Sequence, residues 1–234
     1  MDTLAVVPAR GGSSRVPRKN LREVAGKPLI AHTLEQAAES EALDRTIVST
    51  DDEEIQMTAR EYGGEVPFTR PAELATDEAT SPPVVEHALD WVERHVGSPD
   101  IVVMLQVTTP LRTAQDIDDA VAKIRNHSEA TSLVSISEYD EPPYWAVETE
   151  DDVLRPHFDR DVLWTDNIPR SQDLPTLYHP NGAIFAARTE AFREEINFYT
   201  DVTIGYEMPP ERSIDIDEPF ELELVRTLME SNEN

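Results

Sequence analysis

Apolar and polar positions along this chain alternate between two rhythms. Short β-branched runs, TLAVVPA at 3–9, RTIVST at 45–50, IVVMLQV at 101–107 and TSLVSIS at 131–137, are apolar at almost every position. That is the pattern of strands buried on both faces. Between them apolar residues recur at helical spacing. PVVEHALDWVERHV at 83–96 places Val84, Val85, Ala88, Leu89, Val92 and Val96 on one face, and Pro82 and Pro83 suit a helix start. Segments 28–39 and 114–125 behave in the same way. Such alternation predicts an α/β fold: a mostly parallel twisted sheet with helices on both faces and ligands at the carboxyl ends of the strands.

From 139 to 180 the rhythm breaks into proline, tryptophan, tyrosine and mixed charge without a helical period. The segment reads as a small inserted lobe. An insertion of this size buries little by itself, so its aromatics predict a subunit contact rather than a private core. GAIFAA at 182–187 then returns to a strand pattern, and SIDIDEPFELELVRTLM reads as a strand running into a helix. With no internal repeat, low-complexity tract or long linker, residues 1–234 are expected to form one domain carrying the 139–180 lobe.

Composition narrows the picture. At 234 residues and 39% hydrophobic the chain can bury a proper core, and with no cysteine it has neither thiol chemistry nor disulfides nor Cys-based metal sites. The 47 acidic residues against 20 basic ones give a net charge of -27, spread along the chain, which repels nucleic acid and anionic membranes. The lysines are Lys19, Lys27 and Lys123. So acidic a surface suits a salt-rich cytoplasm, where screening relieves self-repulsion, and predicts a halophilic setting. The apolar run from Leu4 to Ala9 is too short for a signal or membrane helix, so a cytoplasmic protein is expected.

Against that background the cations of VVPARGGSSRVPRKN, residues 6–20, stand out. A strand ending at Ala9 delivers Arg10, Gly11, Gly12 and Ser13 to the carboxyl edge of the sheet. Glycines let backbone N–H groups approach phosphate oxygens, serines add hydroxyls, and Arg10, Arg15, Arg18 and Lys19 supply charge. The spacing is neither that of a Walker A loop nor G-x-G-x-x-G. Taken alone, the segment fits a triphosphate cradle or a solvated turn. In SIDIDEP, residues 213–219, strand alternation sends Ile214 and Ile216 to one side and Asp215 and Asp217 to the other. Adjacent carboxylates repel unless they share a cation or a proton, and such oxygen ligands suit Mg²⁺. An exposed acidic strand face is the alternative.

PARGGSSRVPRKNL, GKPLIAHTLEQA, VSTDDEEI, RPAELATDEATS, LQVTTPLRT, NGAIF and SIDIDEPFEL occur in the order found in the CMP-sialic acid synthetases, and over about residues 4 to 225 the chain resembles that family. The family consists of Rossmann-like cytidylyltransferases that join CTP to nine-carbon 2-keto sugar acids, with attack of the anomeric hydroxyl on the α-phosphate and release of pyrophosphate. The resemblance implies that Arg10, Gly11, Gly12, Ser13, Arg15, Lys19 and Asn20 handle the triphosphate and ribose, with Arg70 and Ser81 at the cytidine end. Arg10, Lys19 and Asp215 would be catalytic, and Asp215 and Asp217 would hold Mg²⁺. Gln106, Arg170, Asn181 and Phe185 would meet the sugar acid. A homodimer is implied, one subunit's lobe lying near its partner's sugar site.

Two positions depart from the family pattern. The family often has G-G-S-K where this chain has Ser14 followed by Arg15, and some relatives carry tyrosine at the position of Phe185. His32, His87 and His95 sit in expected helices without metal-ligand companions, His157 and His179 lie in the lobe, and Trp91, Trp145 and Trp164 read as packing residues. The open alternatives are a related nucleotidyltransferase for an eight-carbon acid or a sugar phosphate, and a silent nucleotide-binding module. Neuraminic, legionaminic and pseudaminic acids all fit the resemblance.

Overall fold

The computed structural model describes residues 1–13, 15–158 and 162–232. Ser14, whose departure from the family pattern was noted above, lies outside the described residues. In chain order the elements are β1 (Thr3–Pro8), β2 (Glu23–Val24), β3 (Lys27–Pro28), α1 (Leu29–Glu39), β4 (Arg45–Ser49), α2 (Glu53–Glu61), α3 (Ser81–His95), β5 (Ile101–Leu105), α4 (Ala114–Asn126), β6 (Ser132–Glu138), β7 (Val147–Glu150), β8 (Val153–Pro156), β9 (Tyr178–Arg188), α5 (Thr189–Glu195), β10 (Thr203–Glu207) and α6 (Pro219–Asn232).

Six strands form the central sheet in the order β10-β6-β9-β5-β1-β4. β1 pairs in parallel with β4 and β5, and β10 with β6, whereas β9 runs antiparallel to both β5 and β6. The all-apolar strands divide their side chains between two layers. Leu4, Val6, Val102 and Met104 pack against Val85, Leu89 and Val92 of α3 and Phe192 of α5; Ala5, Val7, Val103 and Leu105 pack on the opposite side with Ile30 and Leu34 of α1 and Ile117 and Val121 of α4. Both faces are therefore covered, which is why these strands carry no polar alternation.

Helix boundaries follow local chemistry. Asp52 caps α2 by accepting from the backbone N–H of Glu54 and Ile55, both at 3.0 Å. Thr113 and Asp116 form a reciprocal capping box on α4, and Pro82 and Pro83 occupy the first turn of α3. Val96, expected on the buried face of α3, instead follows the last helical residue and is 47% exposed, because the helix ends one residue earlier.

SIDID is not a strand. Residues 213–217 are irregular, between a 3-10 turn at Pro210–Arg212 and α6, because both edges of β5 are already taken by β1 and β9. A backbone hydrogen bond from Ile216 N to Thr108 O at 2.8 Å replaces a ladder. The alternation nonetheless survives: Ile216 is fully buried, while Asp215 and Asp217 reach the cleft. In the 139–180 lobe the hairpin β7–β8 is exposed along both strands. No helix among the described residues is long and apolar enough to cross a membrane.

Candidate active site

A cleft of about 350 Å³ opens at the carboxyl ends of β1 and β5, the edge where a parallel sheet presents its loops. Arg10, Gly12, Ser13, Lys19, Asn20, Arg70, Ser81, Gln106, Asp215 and Asp217 all line it. The loop after β1 is braced against the loop after β4. Gly11 N donates to Asp51 Oδ1 at 3.0 Å, and a Cβ on Gly11 would sit 2.7 Å from Asp52 Oδ2, so the two loops meet where only glycine fits. Arg18 ties the same loops together through Asp52 at 2.7 Å and Glu54 at 2.5 Å. Gly11 therefore lies behind the cleft wall as a packing position.

Each cation of the cleft has protein partners. Arg10 donates to Thr76 O at 2.6 Å and pairs with Asp77 at 2.8 Å, and Asn20 Nδ2 donates to Arg10 O at 2.9 Å. Lys19 Nζ reaches Ile216 O at 2.5 Å and Asp217 Oδ1 at 3.2 Å. Arg15 stands at the rim, 61% exposed, 3.5 Å from both Asp217 and Glu218. Arg70 is buried and donates to Ser49 Oγ, Ser49 O and Leu74 O. Burial, with a contribution from nearby Arg10, brings its pKa down to about 10, so it remains a cation at neutral pH. Ser81 opens α3, and since Pro82 and Pro83 have no N–H, the donors at this helix start are Ser81's own hydroxyl and N–H rather than a run of helix-end amides.

Gln106 leaves the end of β5 and is set by a residue the sequence reading passed over. Arg112, in LQVTTPLRT, is fully buried beneath it and donates to Gln106 O at 3.3 Å, Ala183 O at 2.7 Å, Thr33 Oγ1 at 3.2 Å and Gln36 Oε1 at 3.1 Å. Burial lowers its pKa to about 9. Gly182, at φ 77°, forms the floor: a Cβ there would lie 3.0 Å from Asp215 Oδ2 and 3.6 Å from Gln106 Oε1. Both positions lay inside motifs, LQVTTPLRT and NGAIF, but nothing in local spacing marked their burial.

Asp215 is half-buried over the floor glycine. Burial, reinforced by the neighbouring Asp217, pushes its pKa above the usual carboxylate value, with Thr108 and Lys19 pulling the other way. Its Oδ1 is buried without a hydrogen-bond partner among the described residues. A shielded, unpaired carboxylate oxygen beside a second carboxylate fits a hard divalent cation, and a two-carboxylate set leaves positions for phosphate and water.

Of the sugar-side set, Gln106 lines the cleft while Arg170, Asn181 and Phe185 do not. Asn181 is buried with its amide already engaged: Oδ1 accepts from Ser135 Oγ at 2.6 Å and Ala183 N at 3.1 Å, and Nδ2 donates to Ser213 Oγ at 2.8 Å. Phe185 lies in the apolar layer, 5.7 Å from the Phe198 ring. Arg170 is exposed on the lobe. The histidines are engaged elsewhere: His32 Nε2 contacts Val24 O at 2.8 Å, His87 meets Phe68 edge-on, His95 stacks on Trp91, His157 pairs with Glu148 and His179 lies against Tyr139.

A cytidylyltransferase family profile matches residues 4–232. The chain belongs to the cytidylyltransferase family. It is 36% identical over 219 residues to an N-acylneuraminate cytidylyltransferase of Streptococcus agalactiae serotype V, covering 93% of this chain and 51% of that protein. It is 34% identical over 233 residues to a pseudaminic acid cytidylyltransferase of Campylobacter jejuni, covering 99% and 98%, and 34% identical over 240 residues to a CMP-N,N'-diacetyllegionaminic acid synthase of Legionella pneumophila, covering 100% and 98%. The chain thus spans about half the length of the Streptococcus protein (51%) and nearly all of the other two. Among solved structures, CMP:2-keto-3-deoxy-manno-octonic acid synthetase complexed with CTP matches with a TM-score of 0.71 at 20% identity, covering 99% of this chain and 100% of that one. A 4-diphosphocytidyl-2C-methyl-D-erythritol synthase matches at 0.70 and 12%, covering 97% and 98%. These two bear on the fold alone.

Proposed function

We propose that this cytidylyltransferase-family chain is a Mg²⁺-dependent enzyme joining CTP to a nine-carbon 2-keto sugar acid, giving the CMP-sugar and pyrophosphate. The observation that carries the reading is the division of the cleft, with Arg10, Lys19 and Arg70 set against Asp215 and Asp217. A nucleoside triphosphate needs cations along its phosphates and a carboxylate-held divalent ion at the reacting centre. The sugar's anomeric oxygen bonds to the α-phosphorus, the bridge to the β-phosphate breaks, pyrophosphate leaves with the electron pair, and the hydroxyl proton passes to solvent. Mg²⁺ held by Asp215 and Asp217 would supply charge neutralisation at the phosphates.

The protein's part is placement. Arg10 and Lys19 exchange their contacts with Asp77 and Asp217 for phosphate oxygens as nucleotide enters. Arg70, locked against Ser49, provides fixed positive charge at the cytidine end beside Ser81, and Gln106 faces the sugar from the end of β5. Arg170 is exposed on the lobe and does not line this cleft, and we assign it to the neighbouring site of a homodimer. Pyrophosphate release from CTP, with neuraminic, legionaminic and pseudaminic acids and an eight-carbon acid as acceptors, tests the reading. A nine-carbon acid should be turned over with CTP well above UTP, and Asp215→Ala should lose at least roughly a hundredfold, the scale of one electrostatic group. No release with any of these acceptors would overturn it.

A further inference from the structure

Residues 213–217 carry both cleft carboxylates yet form no strand, so their position depends on point anchors. The later half is held by Ile216, whose N–H bonds to Thr108 O at 2.8 Å and whose carbonyl accepts from Lys19 at 2.5 Å. The earlier half has two anchors: Ser213 Oγ, which accepts from Asn181 Nδ2 at 2.8 Å, and Arg212 just before it. This guanidinium makes a two-pronged contact with Asp116, Nη2 to Oδ1 at 2.8 Å and Nε to Oδ2 at 3.2 Å. Asp116 is 2% exposed and takes three further donors: Tyr206 Oη to Oδ1 at 3.2 Å, and Thr113 N at 2.9 Å and Thr113 Oγ1 at 2.8 Å to Oδ2.

A capping box needs only an exposed acid in the first turn of a helix. Here that acid is buried and faces a chain segment 96 residues away. The paired geometry of carboxylate and guanidinium restrains direction as well as distance, which a single hydrogen bond does not. Asp215 follows Arg212 by three residues and packs over the floor glycine, and its Oδ1 has no hydrogen-bond partner among the described residues. The Asn181 bond fixes where Ser213 sits, and the Arg212 fork adds the direction in which the chain approaches it on the way to Asp215.

We infer that Asp116 is a positioning residue for the Asp215–Asp217 pair, acting through Arg212. This rests on the reading of those carboxylates as cation ligands. It deepens that reading, since a residue on α4, outside the cleft lining, sets how tightly the ion is held.

The test measures metal binding without turnover. Mn²⁺ replaces Mg²⁺, free metal is followed by electron paramagnetic resonance, a non-hydrolysable CTP analogue is present, and melting curves confirm folding. Asp116→Asn and Arg212→Lys should each raise the Mn²⁺ dissociation constant roughly tenfold, while analogue affinity in metal-free buffer changes less than about twofold. The Asp116→Asn/Arg212→Lys double variant should lose no more than the worse single, as expected for one shared contact. Thr113→Ala removes the helix cap and one donor to Asp116 Oδ2 but leaves both Arg212 contacts, so it should lower the melting midpoint while moving Mn²⁺ affinity far less than Asp116→Asn. If Asp116→Asn fails to fold, Arg212→Lys, on the exposed side of the pair, carries the test. Unchanged Mn²⁺ affinity in the folded variants, additive losses, or an equal loss in Thr113→Ala would overturn the inference. If the unaltered protein takes up no Mn²⁺, the metal reading falls with it.

Discussion

At the scale of single residues, two aspartates show opposite electrostatics for opposite tasks. Burial pushes Asp116 up, but the Arg212 and Thr113 contacts win and hold its pKa below the ordinary 3.8. At Asp215 burial, with the neighbouring Asp217, outweighs Thr108 and Lys19, and its pKa sits above that value. A depressed carboxylate stabilises the fold fully above its unfolded pKa, and that stability is lost as pH falls through the folded one. Asp116 should thus contribute to the acid limb below pH 3.8. Melting curves from roughly pH 5 to pH 2 should fall less steeply in Asp116→Asn, whose midpoint should already be lower at neutral pH. Parallel acid limbs in the two proteins would contradict the assignment.

Elements show where pattern and structure part. The buried strands β1, β4, β5 and β6 and the helices α1, α3 and α4 lie where apolar spacing put them, because each buries its own periodic face. SIDID has strand periodicity but no free sheet edge to join. Spacing cannot show whether an edge is vacant. The lobe is the complementary case: its hairpin turns Val147 and Leu154 to one face, with Val147 40% and Leu154 55% exposed. Together with exposed Tyr139, Phe158 and Ile168 this is apolar surface of the kind that marks a protein contact. We propose a homodimer through this lobe. Light scattering should give about twice the 26.3 kDa chain mass, and Leu154→Asp should reduce it to one chain and depress turnover. A single-chain mass with full activity in the unaltered protein would remove the lobe from the site.

On the scale of the whole molecule, charge dominates. A net charge of -27 repels itself throughout; the cleft cations Arg10 and Lys19 pair with Asp77 and Asp217, and Arg18 behind them with Asp52 and Glu54. Exposed pairs of this kind add little stability, so the general repulsion should decide the response to salt. At about 0.1 M ionic strength the Debye length is about 10 Å, which leaves much surface repulsion unscreened. Raising KCl from about 0.1 M to roughly 2 M should raise the melting midpoint steadily, and should weaken nucleotide binding less than it relieves the surface. A midpoint that falls across that range would place the acidic surface outside this explanation.

The order of strands and helices, the loop of cations after β1 and the pairing of Asp215 with Asp217 were legible in the sequence, because each depends on residues close in the chain. Helical spacing, a glycine-rich turn and adjacent acids are local facts. Only the folded chain could show that β9 runs against its neighbours, that Asn181 spends its amide on Ser135 and Ser213, and that Arg112 and Gly182 build the floor under Gln106 and Asp215. It also joined Asp116 to Arg212. Such contacts unite residues tens of positions apart, and which of them meet is decided by how the layers pack, a property no stretch of sequence contains.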